Sequence, residues 1–115
     1  MQVYDTANKL AEEIKNSEAY KNLKASKETL FADEEKKTKI KEFEELKQEV
    51  QIMEVKRQNN QEVDEEEKKA KLAKLYNVLI ENQDIKQYFD YEIAFNKMIY
   101  DINKIIGDSF KDLIM

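Results

Sequence analysis

The sequence predicts an all-α protein, an elongated antiparallel bundle of about five helices. Two observations carry the helical part. The 115 residues contain no proline and one glycine, Gly107, near the end. Proline and glycine disfavour a helix interior by roughly 3 and 1 kcal/mol, so their near absence removes the usual breakers. Apolar residues also recur every three or four positions, the spacing that lines one face of a 3.6-residue helix.

Val3, Ala7, Leu10, Ala11 and Ile14 place a first helix over residues 3–16. Ser17 is a cap for a second, over 18–31, whose stripe is Ala19, Tyr20, Leu23, Ser26, Leu30 and Phe31; a break or a kink at Ser17 fits equally. Asp33, followed by Glu34 and Glu35 where acids favour the helix dipole, opens a long helix over 34–59. Its seam is Ile40, Phe43, Leu46, Val50 and Met53. Ile52 and Val55 widen the apolar surface beyond what one antiparallel neighbour covers, which implies a second partner. At about 39 Å this helix exceeds the roughly 35 Å diameter of a compact globule of this length, hence the elongated shape.

The helix gives way to the polar stretch Arg57–Val63, the best loop, where asparagines tolerate left-handed backbone. Asp64 with Glu67 resembles a capping box opening a helix over 65–81, with Ala70, Leu72, Ala73, Leu75, Tyr76, Leu79 and Ile80 along it. The acidic run from Glu62 to Glu67 reads as a solvated helix start. Asn82 or Asp84 caps the fifth helix, over 84–106, the most apolar segment, and Gly107 stands where a C-cap glycine belongs. Residues 107–115 form a short helix or a tail. Without repeats or linkers, residues 1–115 read as a single helical domain.

Composition excludes much chemistry. Without histidine or cysteine there is no serine–histidine or cysteine–histidine catalysis, no zinc finger and no thiolate-held cluster. One glycine cannot build a phosphate-cradling loop, and the Glu-x-x-His pairs of a di-iron bundle are impossible. No catalytic, cofactor-binding or metal-ligating residue is assigned, and no cofactor is expected. Glu92, at the edge of the fifth helix's apolar face, reads as a flank residue or as a carboxylate bonded to a tyrosine hydroxyl or a lysine, a partner being expected if it is buried. Tyr76, Tyr88, Phe89, Tyr91, Phe95 and Tyr100 follow helical spacing and read as core or interface, with Tyr91 and Tyr100 toward a margin. Net charge is -5 and Arg57 is the only arginine, so there is no basic stripe for a polyanion and direct nucleic-acid binding is not expected. No apolar run approaches a spanning helix or a signal peptide, which points to a cytoplasmic protein without membrane insertion.

The ordered set Asp5, Ala7, Leu10, Ala11, Ile14, Ser17 and Tyr20, then Asp33, Phe43 and Leu46, then Tyr76, Leu79, Asn82, Ile85, Tyr88, Phe95, Met98, Ile102, Ile105, Ile106 and Gly107, resembles the YlbF/YmcA family of small helical proteins from Gram-positive bacteria. The resemblance covers nearly the whole chain. It implies self-association through long antiparallel helices and a non-enzymatic role of the kind that supports competence, biofilm formation and sporulation. Some members form a complex that binds iron–sulfur clusters through cysteines and influences messenger-RNA processing by a membrane-bound ribonuclease. This chain looks like a cysteine-free member, so cluster binding carries over to none of its residues.

The expected function is therefore a regulatory or adaptor protein acting through protein–protein interaction, with an accessory factor of a ribonuclease complex as the alternative. The expected partners are further copies of itself, as a dimer or tetramer, and family paralogues. Phe43, Leu46, Val50 and Met53 on the long helix, with Phe89, Phe95 and Met98 on the fifth, are the candidate core and self-association seam.

Overall fold

The computed structural model describes residues 2–58 and 65–114, and every regular element in them is helical. The helices are α1 (Gln2–Lys15), α2 (Glu18–Phe31), α3 (Glu34–Gln58), α4 (Glu65–Leu79), α5 (Gln83–Asp108) and the short α6 (Lys111–Ile114).

Three side-chain caps set the boundaries. Ser17 marks a true break: its Oγ accepts from the Tyr20 N–H at 3.2 Å while donating to the Ile14 carbonyl at 2.6 Å, which ends α1 and starts α2 with one hydroxyl. Asp33 Oδ1 accepts from the amides of Glu35 and Lys36 at the start of α3. Of the two candidates before α5, Asn82 is the cap, its Oδ1 accepting from Asp84 and Ile85 at 2.9 and 3.1 Å.

Two expectations about helix ends are corrected. Gly107 is not a C-cap but lies inside α5, without left-handed backbone. The helix closes just beyond it through i→i+3 bonds, Ser109 N–H to the Ile106 carbonyl and Phe110 N–H to the Gly107 carbonyl, a tightening that needs no left-handed residue. Arg57 and Gln58, which the sequence places both in the helix over 34–59 and in the Arg57–Val63 loop, are the last residues of α3 and not of the loop. The rest of that loop, and the Asp64 cap, lie outside the described residues.

The chain divides into two compact units, Met1–Glu28 with Gln87–Met115, and Thr29–Lys86. In the second, α3 and α4 pack as an antiparallel hairpin. The Phe43 and Tyr76 rings meet at 5.8 Å, and ion pairs join Glu49 to Lys68, Glu54 to Lys69 and Arg57 to Glu65, so residues ascending one helix meet residues descending the other. Leu30, Ile40, Phe43, Val50, Leu79 and Ile85 are buried here, Ile40 completely. Ile40, Phe43 and Val50 follow the three- and four-residue steps of the seam, so burial tracks periodicity. In the first unit, Tyr88 and Phe89 are buried, and the Tyr20 ring of α2 lies 6.1 Å from Phe95 of α5, with the Lys24 ammonium 6.0 Å from the Tyr20 centroid.

Candidate interaction surface

The seven seam residues separate by burial. Phe43, Val50 and Phe89 are buried within the chain, whereas Leu46, Met53, Phe95 and Met98 are half-buried and keep apolar area in reach of solvent. Helical periodicity does not distinguish these two states, because both follow from one stripe. Ile52 and Val55 are each 56% exposed, on a side of α3 away from the Ile40–Phe43–Val50 line.

The largest accumulation of exposed apolar side chains is in the first unit. Val3 and Tyr4 on α1, Ile93, Tyr100 and Ile105 on α5 and Leu113 on α6 are all more than 60% exposed. No residue of α1 is buried. Such exposure on scattered single residues is ordinary, but along a two-faced helix it is the pattern of a docking face. Tyr91, half-buried, accepts a hydrogen bond from Gln87 Nε2 at 2.8 Å. Tyr100 is free to meet a partner with its ring. Glu92 is half-buried and is not without a partner.

Sequence reasoning missed the environment of Glu65. It was expected on a solvated helix start, yet only 5% of it is exposed, while Glu66 and Glu67 beside it are exposed. Arg57 Nε approaches its Oε2 at 2.8 Å and Lys69 Nζ its Oε1 at 2.9 Å. The Lys69 contact is short but poorly aligned for a hydrogen bond to Oε1, so we read it chiefly as an ion pair. Its effect is to hold the Lys69 ammonium above its ordinary pKa, by the short contact with Glu65 first, with the charges of Glu65 and Glu54 adding. The readable signal was the i, i+4 pair Glu65 and Lys69 close to the only arginine.

A shallow cleft of about 190 Å³ lies between the first turn of α3 and the α4–α5 turn, lined by Asp33, Lys36, Lys39, Leu79 and Ile85 among others. Its cations are matched by acids of their own helix, Lys36 with Asp33 at 4.0 Å and Lys39 with Glu35 at 3.2 Å. It is smaller than the roughly 300 Å³ at which ligand pockets begin. Among the described residues, no group of three or more carboxylates gathers where it could hold a metal ion, and no helix is long and apolar enough to cross a membrane.

The class defined by these features is an all-helical protein that leaves apolar helix surfaces exposed among its described residues. Residues 3–111 match the family model described as control of competence regulator ComK, YlbF/YmcA. The chain belongs to the YlbF/YmcA family. It is 39% identical over 112 residues to a UPF0342 protein of Caldicellulosiruptor bescii, covering 96% of this chain and 91% of that one. A UPF0342 protein of Desulfitobacterium hafniense is 32% identical over 114 residues, covering 99% and 89%. The crystal structure of Bacillus subtilis RicA in complex with RicF shares the fold, with a TM-score of 0.59 over 99% of this chain and 97% of that one, at 22% identity.

Proposed function

We propose that this protein is a non-enzymatic regulator or adaptor that works by binding other protein chains, with further copies of itself or other members of its own family as the partners. The carrying observation is α1, a two-faced helix with no buried residue, in a unit that also leaves Ile93, Tyr100 and Ile105 exposed. The crystallised relation of RicA with RicF, a complex built on a similar fold, supports the same reading. The half-buried seam residues Leu46, Met53, Phe95 and Met98 are proposed to add to the contact.

Direct RNA contact is the weaker alternative. Several of the lysines that would have to meet phosphates are engaged by acids instead: Lys39 by Glu35, Lys68 by Glu49 and Lys97 by Asp101.

The test is co-expression of the full chain with each family paralogue from the same genome, followed by size-exclusion chromatography with light scattering. A complex of defined stoichiometry that survives nuclease treatment is expected, either with itself or with a paralogue. A chain that stays monomeric in every combination would overturn the reading.

A further inference from the structure

We propose that α1 is completed by α1 of a second copy of this chain, packed antiparallel about a two-fold axis passing between Asn8 and Lys9. The proposal rests on the association reading above and names its partner and contact.

The pattern of α1 calls for a partner. At 100° per residue, Val3, Ala7, Leu10, Ala11 and Ile14 fall within an arc of about 100°, with Asp5, Lys9 and Glu12 on the far side. Val3 is 68% exposed, Ala7 and Ala11 are exposed, and Leu10 and Ile14 are only half-buried. An isolated helix shorter than about 12–15 residues is marginal in water, and α1 has 14. Its stability must come from packing.

The stripe matches itself. Val3, Ala7, Leu10 and Ile14 are spaced four, three and four residues apart, which reads the same in both directions. About the proposed axis, Val3 stands opposite Ile14 and the small Ala7 opposite the large Leu10, so bulk meets space twice by symmetry. The charges agree. Lys15 meets Gln2, and Glu13 meets Tyr4, whose hydroxyl can donate to a carboxylate. The like-charge match, Asp5 with Glu12, falls on the outward face, where water screens it. A parallel pair would instead set Lys15 against Lys15, Glu13 against Glu13 and Leu10 against Leu10. Self-complementarity in one orientation is the reason for naming a second copy rather than an unrelated helix.

The natural chain has no cysteine, so engineered pairs report the contact directly. Val3 and Ile14 are separated along the helix by about 16 Å, beyond the roughly 7 Å Cα limit for a disulfide. In the proposed pair, V3C alone and I14C alone cannot bridge, whereas the double variant V3C/I14C links at both ends. Under mild oxidation the double variant should double its 13.7 kDa mass on a non-reducing denaturing gel, and each single variant should not. Adding Leu10→Asp to the double variant should abolish the linked species while circular dichroism stays helical.

Linkage by V3C alone would overturn the antiparallel pairing, as would a linked species that survives Leu10→Asp. Absence of linkage in the double variant, together with a monomeric mass by light scattering, would overturn the pairing altogether. A complex with a paralogue in that same case would leave the association reading standing.

Discussion

Arg57 in the last turn of α3 and Glu65 in the first turn of α4 are joined by a 2.8 Å contact in which the carboxylate is buried and the guanidinium, 61% exposed, remains largely in water. The buried charge is tolerable because two cations reach it, and their own exposure lets them keep much of their hydration. Replacing the carboxylate therefore removes a charge-assisted contact without stranding a buried cation. Glu65→Gln should lower unfolding stability by about 1–2 kcal/mol, read from urea denaturation, with the midpoint shifted and the slope unchanged.

The same cluster sets an alkaline limit. The folded pKa of Lys69 is raised above the ordinary lysine value of 10.5, so its contribution is fully present below that value and is lost as pH rises through the higher folded one. Denaturation of the wild type and of Lys69→Met between pH 7 and 11.5 should give a stability difference that is flat up to about pH 10 and shrinks above it. A difference that vanished already at pH 8 would contradict the assignment.

Ile40 is wholly enclosed in the α3–α4 unit. Ile40→Ala should cost about 2–5 kcal/mol through lost burial and the cavity left behind, and Ile40→Val about 1 kcal/mol. Ile52→Ala, at a site 56% exposed on the same helix, should stay within about 0.5 kcal/mol by thermal denaturation.

Asp33 and Asn82 each satisfy two first-turn amides. Asp33→Ala and Asn82→Ala should each cost about 1 kcal/mol, and Asp33→Asn, which keeps the acceptor, should cost less. Urea midpoints of the four proteins decide the order.

Helix identity was legible because each stripe holds its period over several turns and the starts of α2, α3 and α5 carry a competent acceptor in Ser17, Asp33 and Asn82. Periodicity does not show which side of a stripe meets its own chain. Phe43 and Met53 share the α3 seam, yet Phe43 is buried with its ring against Tyr76 of α4, and Met53 is half-buried. Glu65 was missed for a related reason: a run of acids looks solvated until a neighbouring helix brings an arginine to it. Gly107 shows the limit of residue preference, because a glycine placed where a cap would fit is equally able to remain helical.

The hairpin of α3 and α4 is held by different forces at its two ends. Toward one end lie Ile40, Phe43, Tyr76 and Leu79; toward the other, where Arg57 meets Glu65, lie the charge pairs of Glu49, Glu54, Arg57, Glu65, Lys68 and Lys69. Salt weakens the partly exposed ion pairs and leaves apolar contact intact, whereas cooling weakens apolar burial. The two helices thus form a zipper with a direction, in which ionic strength loosens one end and low temperature the other, so the solution itself selects where separation begins.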